Sequence, residues 1–331
     1  MTRLTKAGFK RDFVRRAILP EWWSDAAAGD PGLLGEVEFR VARFLGASIS
    51  SIQAVTEPLP VPAYSLAQLR RVGDVGRDRL VPSIHAAVRV ASAVVRSLRT
   101  SSDGGVPGDL PKTGLEWRAQ LSRHGKSPTL AEIAGDLWAR GIPVVPLDAL
   151  PGPTFQGLAC IVNGHPVVLV GHKHDEPGRM AFLLAHEAGH VAAGDCSEGI
   201  PVVDGDEDIA DNTEMELLAE RYATEVMVGG AAAPRLDADS SIGFKELARA
   251  AIDVERDTGA DASIVVFRWA RETLNYSTAT MAVKAMYRAT GARRELWRLF
   301  ERHVDLSAAA ESDLDLLRCV YGVAPLDEAA D

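Results

Sequence analysis

Residues 182–195 read FLLAHEAGHVAAGD. An apolar run leads into His186, Glu187 and His190, and it ends at Gly194. On an α-helix, residues four apart project from one face, one turn from each other. His186 and His190 can therefore both offer an imidazole nitrogen to one metal ion. Glu187 lies about 100° round the helix, within reach of a metal-bound water. Zinc brings the pKa of such a water towards neutral, and a neighbouring glutamate can take its proton as it attacks a carbonyl. The spacing is HExxH, the pattern of zinc-dependent peptidases. The preceding MAFLL buries one side of the helix, and Gly189 lets another backbone come close. The plain alternative is an amphipathic helix that happens to carry two histidines.

A catalytic zinc takes a third protein ligand and keeps a fourth position open. The next helical stretch, TEMELLAERYATEVMV (213–228), offers Glu214, Glu216, Glu220 and Glu225. Glu216 and Glu220 share a face one turn apart, and spacing favours neither; Glu214 and Glu225 are less well placed. Glu216 also has a structural reading, since Thr213 with a glutamate three residues on is a capping box. A developing oxyanion needs a further donor, and His172, His174, Arg221 and Tyr222 are candidates by their nearness in sequence. Each also reads as an ordinary turn or helix residue.

Outward from the motif the pattern is α+β. TLAEIAGDLWARG (129–141) is a helix with Thr129 and Glu132 placed as a capping box and Gly141 at its end. IPVVPL follows as a short strand, confined to an edge by its prolines. GLACIV and HPVVLV are β-rich runs joined by Asn163-Gly164, the dipeptide of a tight hairpin. Asp175 stands where it could cap the histidine helix, and Gly194 suits its end. Residues 195–212 read as an acidic loop. From Asp204 to Glu225 there are nine carboxylates against one arginine, a surface for a basic substrate or a cation, or simply a solvated loop.

The flanks read as helices. Residues 1–99 form a helical N-terminal domain, with GLLGEVEFRVARFLG and PSIHAAVRVASAVVRSLR at helical spacing. TSSDGGVPGDLPKTG (100–114) is the linker, residues 115–234 the metallopeptidase domain, and 235–331 a helical C-terminal domain. VARFLGASISSIQAV has the outline of a helix-turn-helix. Its second helix carries no lysine or arginine, and base and phosphate contacts usually need them. The net charge of −10 also argues against non-specific nucleic-acid binding. Trp22-Trp23 reads as a packing anchor. Cys160, Cys196 and Cys319 form no CxxC pair and read as reduced thiols, with Cys196 close to the motif. No run is apolar enough for a membrane span and no secretory leader is visible, so the expectation is a cytoplasmic protein.

RMAFLLAHEAGHVAAGD (179–195) followed by ELLAERYATEVMVGG (216–230) resembles the ImmA/IrrE family of metallo-endopeptidases, a gluzincin-like group. The family pattern is an HExxH helix, a loop, and a second helix reading Glu-x-x-Ala-Asn-x-Phe-Ala, then a short apolar run and often a proline. Here the glutamate falls on Glu216, the alanines on Ala219 and Ala223, and the aromatic on Tyr222. Glu220 stands where the family usually has asparagine, and Gly229 where it often has proline. The resemblance covers roughly residues 115–230. It implies Zn2+ held by His186, His190 and Glu216, with Glu187 as the catalytic base; spacing leaves Glu220 as the alternative ligand. It also implies a partner protein, a helix-turn-helix repressor, as substrate. Two further functions fit the same residues: a transcriptional regulator or toxin–antitoxin component that uses the core for sensing or binding, and a non-catalytic interaction protein with a structural zinc. Oligomeric state has no signal in the chain.

Overall fold

Asn163 and Gly164 both take positive φ, 52° and 75°, the backbone of a tight two-residue hairpin. They join β2 (Gly157–Val162) to β3 (His165–Val170) in antiparallel register, with Val162 opposite His165 and Gly157 opposite Val170. β1 (Val144–Pro146) pairs in parallel with β3, and β4 (Val202–Asp204) pairs antiparallel with β2. The order is β1-β3-β2-β4. The proline-bearing β1 is thus at an edge, where the missing N–H costs no ladder bond. β4 departs from expectation: it is a strand of three residues inside the stretch that composition presents as loop. β2 and β3 are buried along most of their length, which explains why they read as unbroken apolar runs rather than alternating ones.

The computed structural model describes residues 1–54, 58–62, 74–99, 108–121, 126–171, 175–204, 214–230, 234–286 and 291–321. The fold is α+β, with this mixed sheet set among fourteen α-helices of the described residues. The N-terminal helices are α1 (Thr2–Lys6), α2 (Arg11–Phe13), α3 (Pro31–Leu45), α4 (Ile49–Gln53) and α5 (Asp74–Arg96). α3 shows the sequence logic of a helix end to end. Asp30 accepts the N–H groups of Gly32 and Leu33, Pro31 opens the first turn, and Gly46 closes it at φ 67°. α5 begins eight residues before Pro82, where the apolar pattern starts, and carries that proline inside it. α4, the second element of the helix-turn-helix outline, is only five residues long. Of the tryptophan pair, Trp23 packs against the core and Trp22 is exposed.

Around the sheet lie α6 (Gly114–Leu121), α7 (Leu130–Ala139), α8 (Pro177–Ala193) and α9 (Glu214–Val228). Both bonds of the Thr129–Glu132 capping box are made at α7, a contribution of about 1 kcal/mol. α8 ends at Gly194 in the left-handed conformation, as expected, but Asp175 does not cap its start. Pro177 opens α8 with a fixed φ and no N–H to satisfy. The Asp175 carboxylate instead accepts the N–H of Arg293, 2.8 Å away, at the start of α13. The C-terminal helices are α10 (Phe244–Thr258), α11 (Ala262–Thr273), α12 (Tyr276–Met286), α13 (Ala292–His303) and α14 (Glu311–Tyr321).

α5 and α8 both pack on β2 and β3, so the N-terminal helices and the motif helix share the sheet. One apolar cluster runs from Leu4 to Val320. The two ends of the chain are also tied by charge. Arg40, 7% exposed, bonds Asp315 at 2.8 Å and Glu311 at 2.7 Å, and Arg43 and Arg96 both reach Asp313. Of the stretch read as linker, residues 100–107 lie outside the described residues. The rest is packed: Gly108 donates to the Arg140 carbonyl at 2.8 Å and Leu110 is buried. Among the described residues no helix is long and apolar enough to cross a membrane.

His85 of α5 is buried between the rings of Phe9 and Phe44, and its Nε2 faces the Phe44 carbonyl at 2.7 Å. Facing a carbonyl, Nε2 must donate, so the proton of the neutral ring sits there. Burial, reinforced by the charge of Arg89, lowers its pKa to about 4 against the bond to Phe44. Between that value and the ordinary 6.5 the unfolded chain binds a proton that the folded chain refuses. Stability should therefore fall as pH drops through this window, by roughly 3 kcal/mol at most. An NMR titration is expected to show the His85 ring neutral down to about pH 5; a midpoint near the ordinary value contradicts this packing.

Candidate metal centre

α8 and α9 meet at Gly189. A Cβ there would stand 3.1 Å from Ala219 Cα and 3.2 Å from Tyr222 Cβ, so only a glycine allows this approach without displacing backbone. Close packing at Gly189 brings the first turn of α9 against the face of α8 that carries the histidines. The result is a buried group of three side chains. His186 Nε2 and His190 Nε2 are 3.3 Å apart, His186 Nε2 lies 3.3 Å from Glu216 Oε2, and His190 Nε2 lies 3.6 Å from Glu216 Oε1. The three offer one nitrogen or oxygen each within 4.8 Å of one another, an arrangement able to hold a metal ion.

The surroundings favour a cation. Glu187 and Glu216 are 0% and 5% exposed, and Asp195 joins them at the second histidine. Burying like charges together is unfavourable unless a positive charge lies among them. His190 registers this. Burial disfavours its charged form, but bonds to Asp195 and Glu216 and the charges of Glu187 and Glu216 outweigh burial and raise its pKa to about 10. The pocket stabilises positive charge, whether it comes as a proton or as a metal ion.

Two residues of the site escape a reading of the sequence. Asp195 Oδ2 lies 2.9 Å from His190 Nδ1. Such a carboxylate fixes the tautomer of a ligating histidine, directing Nε2 and its lone pair at the metal. The clue was local: Gly194, at φ 75°, turns the chain back at the end of α8, and Asp195 is the next residue. Gly157, the first residue of β2, is the other. A Cβ at this position would overlap the Glu187 carboxylate, so Glu187 lies directly against the backbone of the strand. Nothing short of the tertiary structure reveals that contact.

The remaining candidates are placed elsewhere. Glu220 is on the same helix as Glu216 but forms an ion pair with Arg271 of α11, outside the His186–His190–Glu216 group. Tyr222 packs on Trp117 and donates its hydroxyl to the Pro111 carbonyl at 2.9 Å, and burial lifts its pKa above the ordinary value. Arg221 is exposed and bonds Glu225 at 2.9 Å. Neither points a donor at the site. Glu225 accepts the Gly114 N–H at 3.1 Å, holding α6 to α9. Cys196 is buried beside Ala159 and Val202. Burial, then the charges of Glu187 and Asp195, push its thiol up to about 12, and it lies outside the His186–His190–Glu216 group. His172 and His174 lie outside the described residues.

Comparison with family models, with curated proteins and with solved structures finds no match to this chain. The geometry of the site therefore stands on its own residues.

Calorimetric titration with Zn2+ as the probe separates the two glutamates. Glu216→Gln is expected to weaken binding by about 100-fold or more, and Asp195→Asn by about 10- to 100-fold. Glu220→Gln should leave affinity within about two-fold. Equal losses from Glu216→Gln and Glu220→Gln would contradict this placement.

Proposed function

We propose that the chain is a zinc-dependent endopeptidase in which His186, His190 and Glu216 hold the metal and Glu187 serves as the base. The observation that carries the reading is the convergence of those three side chains, two from α8 and one from α9. Their chemistry fits. Zinc favours imidazole and carboxylate donors at about 2.0–2.1 Å, and a tetrahedral centre with such bonds sets its ligand atoms about 3.3–3.4 Å apart. The two Nε2 atoms here are 3.3 Å apart, and the Glu216 carboxylate places Oε2 3.3 Å from His186 and Oε1 3.6 Å from His190. Three protein donors are also the number a catalytic site uses.

When bound, zinc supplies a Lewis acid and a water acidic enough to attack a peptide carbonyl near neutral pH. The chain's own residues do the rest. Asp195 holds the His190 ring in orientation through Nδ1. Glu187, one residue after the first histidine, supplies the carboxylate that accepts the proton released in the attack and can return it to the leaving amine. Gly157 keeps the strand side of that carboxylate clear of side chain.

The substrate class comes from the resemblance to the ImmA/IrrE peptidases, which implies cleavage of a helix-turn-helix repressor. A second reading rests on the burial of the site. His186, Glu187, His190 and Glu216 are 3%, 0%, 0% and 5% exposed, and enclosure of this kind also suits a structural metal in a non-catalytic protein.

Coexpression with candidate repressors, followed by mass spectrometry, distinguishes the two. The peptidase reading expects a cleaved repressor with the wild type and an intact one with Glu187→Gln, which should still bind one Zn2+. A structural metal expects no cleavage by either protein and unfolding of the sheet and α8–α9 on chelation. Cleavage that persists in Glu187→Gln contradicts the role given to that carboxylate.

A further inference from the structure

We propose that β4 is a detachable cover that occupies, from within the chain, the place an extended substrate strand takes. The identity of the outside occupant rests on the peptidase reading; the opening of the strand does not.

The edge of β2 that passes over Glu187 is paired with the three residues of β4, in the register Gly157 opposite Asp204, Leu158 opposite Val203 and Ala159 opposite Val202. Further along the same edge Gly199 donates to the Ile161 carbonyl at 3.2 Å and Glu198 accepts from the hairpin turn. Gly157 and Ala159 are two apart, so they share a face of the sheet. That face meets α8: Glu187 lies against Gly157, and Val191, one turn along, packs against the cluster of Ala159, Cys196 and Val202. Val202, opposite Ala159, fills a seat made by Ala159 and Cys196 with Ile161, Val191 and Met215 around them. Two walls of this seat adjoin metal-site residues in sequence, Val191 next to His190 and Met215 next to Glu216. The strand that closes the sheet edge is therefore seated against the elements that carry the site.

With β4 paired, the four site residues are at most 5% exposed. A peptidase must open somewhere, and short edge strands belong to the low-stability end of a fold. Removing β4 would bare the N–H and C=O groups of β2 at Gly157 and Ala159, beside the base, and empty an apolar seat of valine size. Extended peptides bind such edges by adding a strand, with main-chain bonds for affinity and side-chain pockets for specificity. The seat thus selects an unfolded segment that places a valine or similar aliphatic residue over Ala159, antiparallel to β2.

Hydrogen exchange on the full wild-type chain tests the opening directly. Those β4 amides that bond β2 are expected to exchange about 100-fold faster than the amides of β3, and equal protection overturns the proposal. The seat is tested with a fluorescent peptide, GIPVVD, the sequence of residues 199–204. It should bind Val202→Asp, or Val203→Pro, at least about ten-fold more tightly than wild type, whose own strand competes. No gain in a variant that remains folded overturns the proposal, and if neither variant folds, the exchange measurement decides. Neither test needs metal or turnover. Peptide binding without cleavage of any substrate would leave the cover standing and remove the peptidase reading; cleavage by a chain whose β4 stays as protected as β3 would do the reverse.

Discussion

The approach of α8 to α9 at Gly189 is the constraint on which the site depends. A methyl group at that position would meet Ala219 backbone at 3.1 Å. Glu216 is three residues before Ala219, on the turn that this contact draws towards the histidines. Increase the helix separation and the carboxylate leaves the reach of both Nε2 atoms. The same approach places Tyr222 against Trp117 and its hydroxyl on Pro111, so the contact that brings the three side chains together also fastens α6 and the segment before it. Tyr222 serves packing, and that role leaves it no donor for an oxyanion.

Local chemistry made a large part of this architecture legible. Asn163-Gly164, Thr129 with Glu132, and the glycine after the histidine helix each act within a few residues, and each does in the fold what its chemistry requires. The histidine pair is legible for the same reason, since one helical turn relates its members. What escaped was set by distant partners. Glu216 and Glu220 lie on one face of one helix, and spacing cannot rank them; Arg271, on α11, takes Glu220. Asp175 can cap either of two helices; α8 starts at Pro177, so its N-cap position falls on Glu176, and Asp175 accepts from α13 instead. β4 is too short to have a pattern, and only its pairing with β2 identifies it as a strand. Gly157 carries no sign of the carboxylate it accommodates.

Flanking helices pack on the sheet. α5 lies on β2 and β3, and α14 is held to α3 and α5 by Arg40, Arg43 and Arg96 against Glu311, Asp313 and Asp315. Arg40 is nearly buried, and removing one partner of such a pair costs more than an exposed ion pair contributes, since the remaining charge has lost its solvent. The N-terminal helix on the sheet is thus itself tied to the C-terminal helix α14.

X-ray absorption at the zinc edge of the loaded protein tests the central claim most directly, because it reads the donors around the metal rather than any consequence of them. The expected spectrum is that of one zinc per chain with about four nitrogen or oxygen neighbours near 2.0–2.1 Å, including the outer-shell scattering of two imidazoles. A sulfur neighbour at about 2.3 Å, a shell without imidazole scattering, or a chain that retains no zinc would contradict it.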